Sequence, residues 1–320
     1  ANIAGAYAAK GTNLVSGDPL LLPLGLYGGP TQTMPPRTNS PAVNAGSDFT
    51  DVTLPGNTNF IPTTFIFPND QRGWPRWFGA HVDIGAVELQ IASLVTNLND
   101  AGPGSLRQAV SGVDLADTVI NFAPGLSGQS IQLESTLLLT NSCIIDASGL
   151  PGGIQLLGSY RVLEVAAGCT AELRSLTLRN GFDTQKGAGI FNQGNLTLDL
   201  CTIADNGGTG EIITSSGGGI YNVSQLTLNQ CTIAGNRAQA GAGIYNHPSG
   251  TMLLNQCTIS GNESSFASGG ITSYGNLTLF NCIVAGNQGG GVYDPDLTSG
   301  SLTTTGTNLI GGTPQLAGLG

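Results

Sequence analysis

NLTLDLCTIADN, residues 195–206, returns as QLTLNQCTIAGN at 225–236, TMLLNQCTISGN at 251–262 and NLTLFNCIVAGN at 276–287. The four align without gaps, and their starts lie 30, 26 and 25 residues apart. A weaker copy, TAELRSLTLRNG, begins at Thr170. Within each half of a copy apolar and polar residues alternate, the period of a strand with one buried face. Leu196, Leu226, Met252 and Leu277 make one inward column, Cys201, Cys231, Cys257 and Cys282 a second, and Ile203, Ile233, Ile259 and Val284 a third. The first two columns stand five residues apart, an odd number that alternation cannot carry, so the chain must bend or bulge between them. Thr202, Thr232 and Thr258 are expected to face outward. Each copy then reaches a second apolar strand, in GAGIFN at 187, GGGIYN at 217, GAGIYN at 241, SGGITS at 268 and GGGVYD at 289.

A unit this short cannot bury its own apolar face, so neighbouring units must stack to share a core. Stacked rungs of similar strands predict an all-β fold, a parallel β-helix or solenoid. From Leu94 to Gly312 there is room for roughly eight or nine rungs, about 40 Å of rod at the spacing of paired strands. PGSLRQAV, from Pro103, reads as a short amphipathic helix capped by Ser105, placed to close the N-terminal end of the core.

Composition agrees with strands and turns. Charged residues are 9% of the 320 and glycines number 49, too few charges and too many glycines for a helical surface. The net charge of −10 argues against nucleic acid, which needs clustered Lys and Arg. LLLPLGL, from Leu20, is too short and too broken to be a transmembrane segment.

The recurring polar side chains read as structure. The cysteine column holds neighbouring Cβ atoms about 4.8 Å apart, wider than a disulfide takes, so Cys201, Cys231, Cys257 and Cys282 are expected as buried free thiols. Asn206, Asn236, Asn262 and Asn287 end the first strand pair of each rung and are expected to form an amide ladder. Phe191, Tyr221, Tyr245 and Tyr293 suggest an exposed aromatic column interrupted at Thr272. Such a strip could stack on sugar rings, as in a surface glycan, although cross-strand packing is the commoner role.

Catalysis on polysaccharides needs paired carboxylates or a base beside a cation, and no column of rungs supplies them. Asp199 aligns with Arg174 and reads as an inter-rung ion pair. Asp294 and Asp296 in YDPDLTSG are the candidate calcium ligands, with a plain turn as the competing reading. No other cofactor is expected. His81 and His247 lack a Ser or Cys partner, so the chain does not read as an enzyme.

The ends of the chain repeat each other. GTNLVSGDPLLLPLG at 11–25 and GTNLIGGTPQLAGLG at 306–320 are 295 residues apart. Residues 1–25 therefore read as the equivalent of 296–320, the last coil of a preceding solenoid. Residues 26–90 read as a β-rich cap region and 91–320 as the β-helix. The order predicts head-to-tail contact between copies of the chain or between tandem sibling repeats. Leu14, Leu21 and Leu24 of one copy would lie near Leu309, Leu316 and Leu319 of another, giving a fibre or a cell-surface array.

VTNLNDAGPGSLRQAV followed by the GGGIYN…LTLNQCTIAGN repeats resembles bacterial extracellular right-handed parallel β-helix proteins of the pectate-lyase-like superfamily. The stretch YGGPTQTMPPRTNSPAVNAGSD…NDQRGWPR…VDIGAVE, within 27–88, resembles the choice-of-anchor Q domain that follows such helices. There Asp70, Arg72, Arg76, Asp83 and Glu88 match the pattern, with Trp74, Trp77 and Phe78 adding apolar mass. In the family this region follows its β-helix; here it precedes one. The resemblance implies an extracellular or cell-surface location and a structural or adhesive role, with a polysaccharide-active or glycan-binding protein as the alternative.

Overall fold

The computed structural model describes residues 13–25, 31–37, 39–46, 70–71, 81–88, 91–111, 113, 118–207, 216–290 and 294–312. The chain forms two compact units, Ala1–Ile91 and Ala92–Gly320.

The second unit is an all-β parallel solenoid with three strands to a turn. One turn runs through Ile220–Asn222, Gln225–Asn229 and Thr232–Ala234. Its strands pair in register with Ile190–Asn192, Asn195–Asp199 and Thr202–Ala204 of the turn before, and with Ile244–Asn246, Thr251–Asn255 and Thr258–Ser260 of the turn after. The face holding the TIA-type strands is an eight-stranded sheet, one strand for each turn. The other two faces are joined where Ile271–Phe280 runs through both, with a register shift between Ser273 and Asn276.

The sequence explains two of the three corners. Between the second and third strands a single residue takes a left-handed conformation: Leu200, Gln230, Gln256 and Asn281 have φ of 52–55°. That residue turns the chain so that the Leu column before it and the Cys column after it both face inward. After the third strand the chain turns again at Asp205, Gly235, Gly261 and Gly286, also at positive φ. The glycine at the third position of each GxG motif has a different role. A Cβ at Gly219 would stand 2.6 Å from the Gly243 carbonyl oxygen and 3.1 Å from the Asn236 side chain, so glycine makes the room the amide ladder occupies.

The core is a set of stacked columns. Ile190, Ile220, Ile244 and Ile271 are fully buried, as are Leu198, Leu228, Leu254 and Leu279. Each contributes about 1.5–3 kcal/mol of burial. At the N-terminal end the helix Leu106–Ser111 buries Leu106 and Val110 in the same core as Val95 and Ile120. Ser105 Oγ accepts the Gln108 N–H at 3.1 Å, and Gln108 Oε1 accepts the Gly104 N–H at 2.7 Å, a reciprocal cap.

In the first unit, strand pairing among the described residues consists of two antiparallel bridges, Leu21 with Pro36 and Gly25 with Thr33. Asp70, Asp83 and Glu88 are buried. Asp83 accepts the Asn44 N–H at 2.7 Å, Glu88 accepts the Asp83 N–H at 2.9 Å, and Asp70 accepts the Glu88 N–H at 3.1 Å. These acids tie together three separate stretches of chain. Arg72, Trp74, Arg76, Trp77 and Phe78 lie outside the described residues.

Candidate functional site

One face of the solenoid carries a column of register-matched side chains, in which Tyr221 and Thr272 are buried. Leu138, Glu164, Phe191, Tyr221, Tyr245, Thr272 and Thr298 are successive register partners, rung upon rung. Phe191 meets Tyr221 edge-on at 5.7 Å, Tyr221 stacks on Tyr245 at 4.8 Å, and Tyr245 meets Tyr274 at 5.8 Å. Two expectations need correction. Tyr221 is only 7% exposed, so the column is not open along its length. The register position expected for Tyr293 belongs to Thr298, in the described strand Leu297–Thr305; Tyr293 itself lies outside the described residues. Burial raises the hydroxyl pKa of both Tyr221 and Tyr245.

At its N-terminal end the column opens into a groove of about 620 Å³ whose lining includes Leu138, Tyr160, Arg161, Glu164, Phe182 and Asp183. Arg161 bonds Glu164 at 2.6 Å and Asp183 at 2.9 Å, and its guanidinium carbon stands 5.1 Å from the centre of the Phe191 ring. Farther round, Arg174 is held by Glu172 at 2.6 Å and Asp146 at 3.1 Å. The expected pair with Asp199 does not form, although the two residues are register partners. Asp199 instead accepts the Asn229 amide at 2.6 Å.

The C-terminal rung is a second candidate. Leu302 continues the column of Leu277, and Ile310 that of Val284, yet they are 42% and 38% exposed while those neighbours are buried. Leu309, beside Ile310, is exposed as well. Among the described residues no strand pairs with the outer edge of Leu297–Thr305 or Leu309–Ile310. In the first unit Leu14, Leu21 and Leu24 line one apolar groove of about 500 Å³ with Met34, Pro36 and Val87. Three of the six expected assembly residues thus share a groove and Leu309 lies on an open edge; Leu316 and Leu319 fall outside the described residues.

In-register parallel strands, three to a turn and repeated through eight turns, are the signature that decides the comparison with known families. Residues 153–301 match the family model for a right handed beta helix region. No curated protein matches the chain. The β-helix extends beyond the matched stretch in both directions, since pairing begins before residue 153 and continues to Ile310.

Within the β-helix Asp296 ends the amide ladder, its Oδ1 accepting both the backbone N–H and the side chain of Asn287 at 2.8 Å. Asp294 Oδ1 accepts the N–H groups of Asp296 and Leu297 at 2.8 and 3.3 Å, an Asx turn. Among the described residues no group of three or more His, Cys, Asp or Glu side chains is placed to hold a metal ion. All six cysteines are free and buried. His247 Nδ1 lies 2.9 Å from Ser249 Oγ in a surface turn.

The groove residues Leu138, Tyr160, Glu164 and Phe182 escaped the sequence reading. Their rungs lack the Asn ladder, and their cysteines, Cys143 and Cys169, fall outside the column that marks later ones. Counting outward positions back from Phe191 through each apolar strand would have reached Glu164 and Leu138.

Proposed function

We propose that this chain is a structural or adhesive β-helix unit of an extracellular or cell-surface protein. It assembles head-to-tail: the first unit of one copy, or of the next tandem repeat, covers the open last rung of its neighbour. The observation that carries this reading is the exposure of Leu302 and Ile310, core-column residues left facing solvent at one end of a solenoid whose other end a helix closes. Exposed apolar surface with unpaired backbone at a sheet edge seeks a partner. The leucine-lined groove of the first unit has matching chemistry, and the recurrence of residues 11–25 at 306–320 supports a shared binding mode. The resemblance of 27–88 to a choice-of-anchor Q domain supports a capping role and an extracellular location.

Sedimentation velocity and electron microscopy at rising concentration test the proposal. Rods are expected, with an axial repeat under about 100 Å for each unit, given the rung spacing and a cap. The Leu302→Lys/Ile310→Lys double variant, with its melting transition retained, is expected to stay monomeric. A wild-type chain that remains a folded monomer at high concentration, or a double variant that assembles equally well, overturns it.

A further inference from the structure

The groove at the N-terminal end of the aromatic column combines exposed aromatic rings with an excess of carboxylates. The geometry points to a binding site in this groove for an amino-sugar glycan. This goes beyond the assembly proposal and does not depend on it.

Two aromatic rings project from neighbouring rungs. The Phe182 N–H bonds the Tyr160 carbonyl at 3.2 Å, yet the side chains are solvent-facing, with Tyr160 60% and Phe182 47% exposed. Large aromatic rings left in water beside a concave surface offer apolar faces to a ligand. The apolar C–H face of a pyranose ring fits such a platform, and an ammonium group gains further attraction from the ring's π face.

Charge narrows the ligand. Arg161 is not available to an anion: besides its two carboxylates it donates to the carbonyls of Lys186 and Gly187. Glu134, also on the groove lining, makes no ion pair among the described residues. Three carboxylates, Glu134, Glu164 and Asp183, against the one guanidinium leave the groove with two negative charges. A polyuronate would be repelled and a glycan bearing free amines attracted.

A basic peptide would share the charge preference but lacks a way to dock. Backbone groups of the groove floor are engaged from rung to rung, with Leu137 N–H bonded to Val162 at 3.0 Å and Leu163 N–H to Gly189 at 3.0 Å, so an added strand has no edge to pair with there. Toward the C-terminus the rings of Phe191, Tyr221, Tyr245 and Tyr274 pack on one another, and the burial of Tyr221 ends the open platform there. Lys186 lies over Phe191 and Tyr221, 5.8 and 5.4 Å from their ring centres, so the negative end of the strip is the groove.

The test is calorimetric titration of the full chain at low ionic strength with a glucosamine hexamer, its N-acetylated form, a hexagalacturonate and hexalysine. The glucosamine hexamer is expected to bind at least tenfold more tightly than the other three. Tyr160→Ala/Phe182→Ala, at exposed positions that leave the melting transition in place, is expected to weaken it about tenfold. Glu134→Gln is expected to narrow the gap between the free and acetylated hexamers. The assembly variant Leu302→Lys/Ile310→Lys is expected to bind as the wild type does. Absence of binding at millimolar glucosamine hexamer, equal affinity for hexagalacturonate or hexalysine, or full binding by the aromatic double variant overturns the assignment.

Discussion

Asn236 Oδ1 accepts two hydrogen bonds from Asn206, one from its backbone N–H at 3.0 Å and one from its side-chain amide at 2.9 Å. The same double contact links Asn236 to Asn262 and Asn262 to Asn287. Each amide also donates to a carbonyl of the preceding rung, as Asn236 does to Ile203 at 2.9 Å. A single side chain therefore satisfies buried groups on three rungs.

Asn236→Ala leaves the Asn206 backbone N–H and one of its two side-chain amide N–H groups without an acceptor where water does not reach. A loss of about 3 kcal/mol or more is expected from two stranded donors. Asn255→Ala, which breaks a half-buried bond to Asn229 on the outer face, is expected to cost about 1 kcal/mol or less. Urea unfolding of both variants measures the contrast, and equal losses would show that the inner ladder contributes nothing special.

Leu200 holds φ at 55° with its side chain 58% exposed. A leucine in the left-handed region costs about 1–2 kcal/mol and here gains little by burial. Leu200→Asn, matching Asn281 in the same column, is expected to raise stability by about 1 kcal/mol. A melting temperature at or below that of the wild type would contradict this account of the corner.

The thiols should be silent in the folded protein. Cys231 is pushed up to about 12, chiefly by its bond with Cys201 and further by burial. Cys257 is likewise pushed up to about 12, chiefly by Cys231 and further by burial. Because the folded value is the higher one, the stability these groups contribute is full below the ordinary thiol value of 9.0 and declines as pH rises through the folded value. A thiol reagent at neutral pH is expected to label none of the six cysteines before unfolding and all six after. Two or fewer labels on the unfolded chain would mean disulfides.

Glu172 bonds Arg174 at 2.6 Å. Its carboxyl pKa is nevertheless raised, first by burial, with nearby Asp199 adding to the effect and Arg174 opposing it. An acid with a higher pKa folded than unfolded favours the fold fully at low pH, and that favour is lost as pH rises through the folded value. Glu172→Gln is expected to flatten the stability profile from acid to neutral pH, with Asp146 still holding Arg174. Urea midpoints across that range decide it; an unchanged slope would remove Glu172 as its source.

The later rungs were legible in the sequence because every turn repeats the same inward residues and the same corner. Leu226, Cys231, Ile233 and Asn236 mark one turn so clearly that strand register follows from string alignment alone. Legibility failed where the string and the register part company. GGGVYD looks like GGGIYN, but the next described strand begins at Leu297, and Asp296 takes the place an Asn would fill. Register was read correctly for Arg174 and Asp199, but not the choice of partner: Arg174 finds two acids nearer, and Asp199 satisfies an amide instead. The groove of Tyr160 and Phe182 depends on turns whose side chains follow no repeat, so only the folded chain brings them together.

The inner amide ladder also has a direction. Between Asn206 and Asn287 every step passes a side-chain N–H toward the C-terminus, and the series ends on Asp296, a carboxylate that accepts and cannot donate. Duplicating a turn inside the series would lengthen the rod without breaking the sequence of bonds. A turn added after Asp296 would receive no amide from it. The acid works as a full stop for the ladder but not for the solenoid, since the strands Leu297–Thr305 and Leu309–Ile310 still follow it.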